Sequence, residues 1–308
     1  MSSASLQPPA RGPEPQTFAG PSRLARWASF VKLPHTVFAM PFALVGVLLA
    51  SFAHPVTARV VGWVVVAFTA ARFAAMAFNR IVDRDLDAAN PRTAMRELPS
   101  GALGIAEARW SVVAASALFV VAAAMLNPLC FSLSWLALAW VFLYSYTKRF
   151  TRWSHLVLGL GMSIAPVGGY LAVTGGWSEP WWLICALALA VTAWGGGFDV
   201  LYALQDEEFD RGAGLHSLPA AIGATGAVRV ARGLHLLAVA MLSAVAIGAP
   251  GGNQLIACGV AVAAALLLWE HRLVRPGDLS KLDAAFFTMN GVISLVFLGC
   301  VLAARLLA

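Results

Sequence analysis

The sequence predicts an all-α, polytopic membrane protein of nine transmembrane helices, with its polar groups gathered on the cytoplasmic face. Three observations predict it. Of the 308 residues, 60% are hydrophobic and only 12% charged, whereas soluble domains carry about 25% charged residues. The apolar residues fall in runs that meet the roughly 20 residues a helix needs to cross a bilayer. The 21 Lys and Arg cluster in the amino-terminal tail and in alternate connections, the pattern that orients helices in a membrane. The net charge of +6 thus speaks for a lipid bilayer and not for nucleic acid.

Residues 1–33 are rich in Pro, Ser, Ala and Arg and lack the apolar core of a signal peptide. They are expected to form a disordered tail ending in a juxtamembrane anchor of Arg23, Arg26 and Lys32. Residues 34–308 are expected to form one nine-helix transmembrane domain. Its spans lie near 35–53, 58–79, 105–126, 130–147, 155–174, 181–201, 227–248, 253–270 and 285–304. An odd number of spans puts the termini on opposite sides. With the tail inside, the inner connections are 80–104, 148–154, 202–226 and 271–284, and they hold nearly all the loop arginines and lysines. The outer ends hold only Arg59 and Arg305, joined by turns such as His54-Pro55 and Asn127-Pro128. This asymmetry predicts an inner-membrane protein with its amino terminus and its working groups on the cytoplasmic side. Trp63, Trp110, Trp135, Trp140, Trp153, Trp177, Trp181 and Trp182, mostly near span ends, read as interfacial anchors. Pro41 and Pro166 fall inside spans and are expected to kink them. Cys130, Cys185, Cys258 and Cys300 stand singly in apolar runs without metal-ligand spacing and read as small hydrophobes.

The second span runs into Asn79-Arg-Ile-Val-Asp83-Arg-Asp85-Leu-Asp87-Ala-Ala-Asn90-Pro-Arg92-Thr-Ala-Met-Arg96. Asn79, Asp83 and Asp87 are spaced by four, which stacks them on one helical face. Stacked carboxylates repel unless a cation lies between them, and hard divalent cations take oxygen ligands. Arg80, Arg84, Arg92 and Arg96 surround them, which fits a metal bound together with a phosphate, since arginine forks match phosphate oxygens. The bland alternative is a charged loop that anchors a helix end.

The sixth span closes on a second acidic run, Asp199-Val-Leu-Tyr202-Ala-Leu-Gln205-Asp206-Glu207-Glu208-Phe209-Asp210. Helical spacing again puts Asp199, Tyr202, Asp206 and Asp210 on one face. Asp199 lies within the apolar run, where an ionisable side chain is costly and points to function. Gly195-Gly-Gly197 before it would loosen the helix or admit a close neighbour. Two acidic faces at the same border suggest an internal repeat whose halves meet at one site. Asn79, Asp83, Asp87, Asp199, Asp206 and Asp210 together supply oxygens for a pair of Mg²⁺ ions, and Mg²⁺ favours few carboxylates plus substrate phosphates. A diphosphate substrate follows.

These paired motifs resemble those of the UbiA superfamily of intramembrane aromatic prenyltransferases, and the likeness runs from Phe30 over nearly the whole chain. It includes Asn90-Pro-Arg92-Thr, Arg96-x-Leu-Pro-x-Gly101, Tyr146-x-Lys148-Arg149 and Gly214-Leu-His-Ser217. The resemblance implies helices around a cytoplasm-facing active-site cavity and Mg²⁺-dependent transfer of a polyprenyl group from its diphosphate to a small aromatic acid, in ubiquinone or menaquinone synthesis. It implies Asn79, Asp83, Asp87, Asp206 and Asp210 as metal ligands and Arg92, Arg96, Lys148 and Arg149 as diphosphate donors. Asp199, Tyr202 and Arg72 are the expected catalytic group. Asp199 would orient the acceptor or act as base, Tyr202 would stabilise a cation or wall the acceptor site, and Arg72 would clamp a carboxylate or diphosphate. One departure stands out: many members have Asp where Arg80 follows Asn79, and Asp85 is the residue that could compensate. The Asn79-Arg80 opening with Gly214-Leu-His-Ser217 looks more like the branch that prenylates a dihydroxynaphthoate on the futalosine route to menaquinone than the 4-hydroxybenzoate branch.

An ion-coupled transporter is the rival reading, but it needs charge near the membrane midplane, and here the acids gather at one border. A catalytically silent isoprenoid-binding relative is a second, opposed by the five motif aspartates. His35, His216 and Asn290 have no assigned partner, and no segment calls for an obligate protein partner.

Overall fold

The computed structural model describes residues 22–177, 180–250, 253–274, 278–279, 282 and 288–308. Every regular element among them is helical. In chain order these are α1 (Arg23–Phe30), α2 (Leu33–Ser51), α3 (Ala58–Val82), α4 (Arg84–Ala89), α5 (Ile105–Leu126), α6 (Pro128–Thr147) and α7 (Ser154–Thr174). There follow α8 (Trp181–Ala203), a 3-10 turn (Leu204–Asp206), α9 (Glu207–Gly212), α10 (Leu218–Gly248), α11 (Asn253–Leu273) and α12 (Asn290–Leu306).

Among the described residues, seven helices are long and apolar enough to cross a membrane, and the apolar stretches Ala39–Ser51 and Asn290–Leu306 are shorter. The chain is therefore a multi-pass membrane protein. Helices lie over all nine expected segments, but nine crossings is a reading beyond these lengths, and residues 285–287 of the ninth lie outside the described residues.

The expected tail needs correction. Residues 1–21 lie outside the described residues, but the segment after them is helical and packed. The Ser22 hydroxyl accepts the Ala25 N–H at 3.1 Å and starts α1, as an N-cap does. Trp27 stacks on Phe73 with ring centroids 6.1 Å apart, and Phe30 is fully buried. Arg23 pairs with Glu107 at 2.8 Å. A short amphipathic helix hides easily in an Arg-rich segment.

α8 is the central helix. It packs against α7 and α10, while α3 packs on α5, and α2 lies between α7 and α12. Leu187, Ala190, Val191, Trp194, Phe198 and Leu201 of α8 are all buried. Close backbone approach explains the glycines. A Cβ on Gly159 of α7 would overlap the Thr192 carbonyl of α8, and one on Gly197 would overlap the His235 ring of α10. Gly195-Gly-Gly197 thus admits a neighbour, and α8 stays helical through it.

α10 begins nine residues before its expected start because Ser217 caps it through the Ala220 N–H at 3.3 Å and Pro219 sits in its first turn. Gly223, at φ 74, breaks its regularity.

Candidate active site

Two helix ends build the site, and both break at an aspartate. α3 carries Arg72 and Asn79 and stops at Asp83, whose φ −93 and ψ 6 separate it from α4, which carries Asp87. α8 carries Asp199 and Tyr202 and gives way to the 3-10 turn. Asp206, at φ −106 and ψ 8, then starts α9, which carries Asp210. Each acidic motif therefore spans a break, which corrects the expectation of one continuous helical face. The first ladder runs on through its pivot, with Asp83 N–H to Asn79 C=O at 2.9 Å and Asp87 N–H to Asp83 C=O at 2.7 Å.

All twelve expected site residues line one cavity of about 760 Å³. They are Arg72, Asn79, Asp83, Asp87, Arg92, Arg96, Lys148, Arg149, Asp199, Tyr202, Asp206 and Asp210. Apolar walls from Phe42, Phe68, Trp194 and Phe198 complete it.

The cations expected on phosphate here hold the aspartates. Arg92 forks onto Asp206 with Nε 2.9 Å from Oδ1 and Nη2 2.7 Å from Oδ2, and Asn90 donates to the same Oδ1 at 3.0 Å. Arg96 donates to Asp87 at 2.7 Å. Lys148 lies 3.7 Å from Asp210 and Arg149 lies 3.5 Å from Asp83. Asn79 turns its amide N–H to Asp83 at 2.8 Å. Opposite charges confined in a poorly solvated cavity pair with one another. Burial raises the Asp83 carboxyl above its ordinary range and Asp87 adds to this, against the pull of Lys148 and Arg149. For Lys148, burial pulls the ammonium down, but Asp210, Asp206, Asp199 and Asp83 outweigh it and leave it raised.

The donor set can be tested for a hard cation. Asp87 Oδ2 and Asp210 Oδ2 are buried and accept no hydrogen bond. Among the described residues, no three His, Cys, Asp or Glu side chains converge to hold a metal unaided. The protein thus presents oxygen edges that need further oxygens, the arrangement Mg²⁺ completes with waters and substrate phosphates. The residues fit the ion on those terms.

Several residues escaped the sequence reading. Lys32, an expected anchor, lines the cavity with a left-handed backbone at φ 47. Its Nζ and the Arg92 guanidinium each lie 5.7 Å from the Tyr202 ring centroid, so this ring already has cations beside it. Arg80 is buried, donates to the Phe30 carbonyl at 3.4 Å and lies 3.8 Å from Asp87. It ties α1 to α3 and adds positive charge where many members have an acid. Asp85 does not compensate, being exposed and paired with Arg84 at 2.9 Å. His155, fully buried at the start of α7, lies 2.7 Å from Asp199. A lone histidine opening a span gave no signal by itself; the need of a membrane-depth aspartate for a partner could have. Asn290 accepts from Trp194 Nε1 at 2.8 Å. His216 is exposed and does not line the cavity, and the His35 side chain lies outside the described residues.

Fold and site together define a helical membrane protein that holds a charged cluster at the end of an apolar hollow. Residues 39–292 match the model of the UbiA prenyltransferase family, and the chain belongs to that family. The 4-hydroxybenzoate octaprenyltransferase of Sodalis glossinidius (strain morsitans) is 32% identical over 234 residues, covering 75% of this chain and 78% of the relative. A UbiA homolog from Aeropyrum pernix K1, solved without ligand, is 32% identical with a TM-score of 0.79 over 87% of this chain and 97% of that one. The fold is also that of a UbiA homolog from Archaeoglobus fulgidus bound to DMAPP and Mg²⁺, at 20% identity and a TM-score of 0.71, over 92% of this chain and 100% of that one.

Proposed function

We propose that this chain transfers a polyprenyl group from polyprenyl diphosphate to a small aromatic acid, 4-hydroxybenzoate or a dihydroxynaphthoate, with Mg²⁺, in quinone synthesis. The observation that carries this reading is one cavity lined by both acidic motifs, seven cationic side chains and an apolar wall. The chain crosses the inner membrane nine times, with its amino terminus and the charged end of the cavity cytoplasmic, as the arginine distribution supports.

The roles follow from position. Asp87 and Asp210, with Asn79, Asp83 and Asp206, would hold Mg²⁺, which when bound supplies Lewis-acid stabilisation of charge on the leaving diphosphate. Arg92, Arg96, Lys148 and Arg149 turn their N–H groups to the diphosphate oxygens as negative charge develops. The walls around Trp194, Phe198 and Phe42 keep water from the allylic cation, and the Tyr202 ring stabilises it. Arg72 is half-buried on α3, its Nε buried and without a hydrogen-bond partner, and holds the acceptor's carboxylate. Asp199 orients the acceptor and takes the proton released as the new bond to the ring forms.

The test is prenyl transfer in membranes, with and without Mg²⁺, offering each acid in turn. Intact protein gives metal-dependent product, and Asp83→Ala and Asp206→Ala each lower turnover by about a hundredfold or more. Wild-type turnover in both variants removes the diphosphate from between the clusters. The preferred acid decides the acceptor: the Asn79-Arg80 opening favours the naphthoate, and the relatives' names favour 4-hydroxybenzoate.

A further inference from the structure

We infer that His155 is a positioning residue for Asp199, holding one carboxylate oxygen so that the other is left for the acceptor. This rests on the proposed transfer reaction. His155 is the second residue of α7, is fully buried, and does not line the cavity. Its Nδ1 lies 2.7 Å from Asp199 Oδ2, while its Nε2 faces the Leu218 backbone N–H at 3.3 Å. A backbone N–H can only donate, so Nε2 must offer its lone pair. The ring proton then sits on Nδ1, where it donates to Asp199. A doubly protonated ring would set two N–H groups against each other at Leu218, so the contact selects the neutral ring and a single tautomer.

Leu218 is the first residue of α10, and its N–H is among those an α-helix leaves without an internal partner. His155 satisfies it, and the residue before it, Ser217, is itself fully buried and caps the same turn. One imidazole therefore joins α7, α8 and the start of α10. Its position is set by α7, which carries it, and by the Leu218 N–H before it touches the carboxylate. Asp199 does line the cavity, so any effect of His155 on the reaction passes through it. A charge-assisted bond of this length fixes the carboxylate's rotamer, and a base works only when its free oxygen is aimed at the proton it removes.

The experiment measures turnover and KM for both substrates, together with binding of polyprenyl diphosphate and Mg²⁺, in four single variants and three double ones. His155→Phe and His155→Leu remove the donor, His155→Asn keeps an N–H close to the Nδ1 position, and Asp199→Asn is combined with each. The donorless variants lose about a hundredfold in kcat, a typical contribution of acid–base catalysis, with KM for the diphosphate and its binding unchanged. His155→Asn recovers about tenfold of that, and in the Asp199→Asn background His155→Leu costs nothing more. The inference is overturned if donorless variants that bind the diphosphate turn over at the wild-type rate. It is overturned equally if the His155 and Asp199 losses multiply, or if diphosphate binding falls in step with turnover in both Phe and Leu variants. No transfer by the wild-type protein with either acid overturns the proposed reaction itself, a result separate from any variant.

Discussion

The two acidic half-sites share a design and differ in how they are held. Each ends a long helix, pivots at an aspartate in the same backbone region and places a second aspartate in a six-residue helix. The first is tied mostly by its own segment: Asn79 to Asp83, and Arg96 and Arg80 to Asp87. Asp206 and Asp210 of the second are tied by Asn90, Arg92 and Lys148, all from elsewhere in the chain. The helices behind them differ too, since α8 is wedged between α7 and α10 by glycine contacts, whereas Gly62 of α3 faces open space. The first half-site forms locally, and the second takes shape only when the rest of the chain is in place.

That contrast can be broken by substitution. Gly159→Ala should have the largest effect, because its Cβ meets the backbone of α8 at Thr192. The cost should exceed the roughly 1–3 kcal/mol of ordinary overpacking and appear as lost folded protein in detergent. Gly62→Ala, by contrast, should melt like the wild type or slightly above it. Next, Arg92→Ala strands Asp206 nearly buried and unforked, a loss of about 3–5 kcal/mol readable in thermal unfolding. Asn79→Ala removes one 2.8 Å bond to Asp83, worth about 1.5–3 kcal/mol. Arg149→Ala should cost least, under about 1 kcal/mol, since this side chain is 43% exposed, its 2.8 Å bond to the Val82 carbonyl is open to solvent, and Asp83 lies 3.5 Å away. Equal losses for Arg92→Ala and Arg149→Ala would mean that the halves are held alike.

Spacing made much of this legible. Aspartates four apart at the ends of apolar runs had to share a border, and the cavity that gathers them is the consequence. The breaks at Asp83 and Asp206 left no trace, because no proline or glycine marks either pivot. α1 left little trace because its Leu24 stays exposed and its two aromatics gain meaning only once Phe73 is beneath Trp27. His155 and Asp199 are 44 residues apart, and nothing local relates them. Arginines in this pattern point to phosphate; that they also grip aspartates depends on distances no sequence carries.

That grip has a consequence for how the cavity exchanges ions. Asp83, Asp87, Asp206 and Asp210 stand opposite Arg149, Arg96, Arg92 and Lys148, with Arg80 a further cation 3.8 Å from Asp87, so every one of these carboxylates already has a cation beside it. An anion that takes Arg92 and Arg96 leaves Asp206 without its fork and Asp87 with Arg80 alone, and a cation that takes the carboxylates leaves the guanidinium groups without their partners. Either alone works against the field of a poorly solvated hollow. A cation and an anion arriving together would exchange one set of pairs for another, and the expectation is that they enter the cluster more readily as a pair than either does alone.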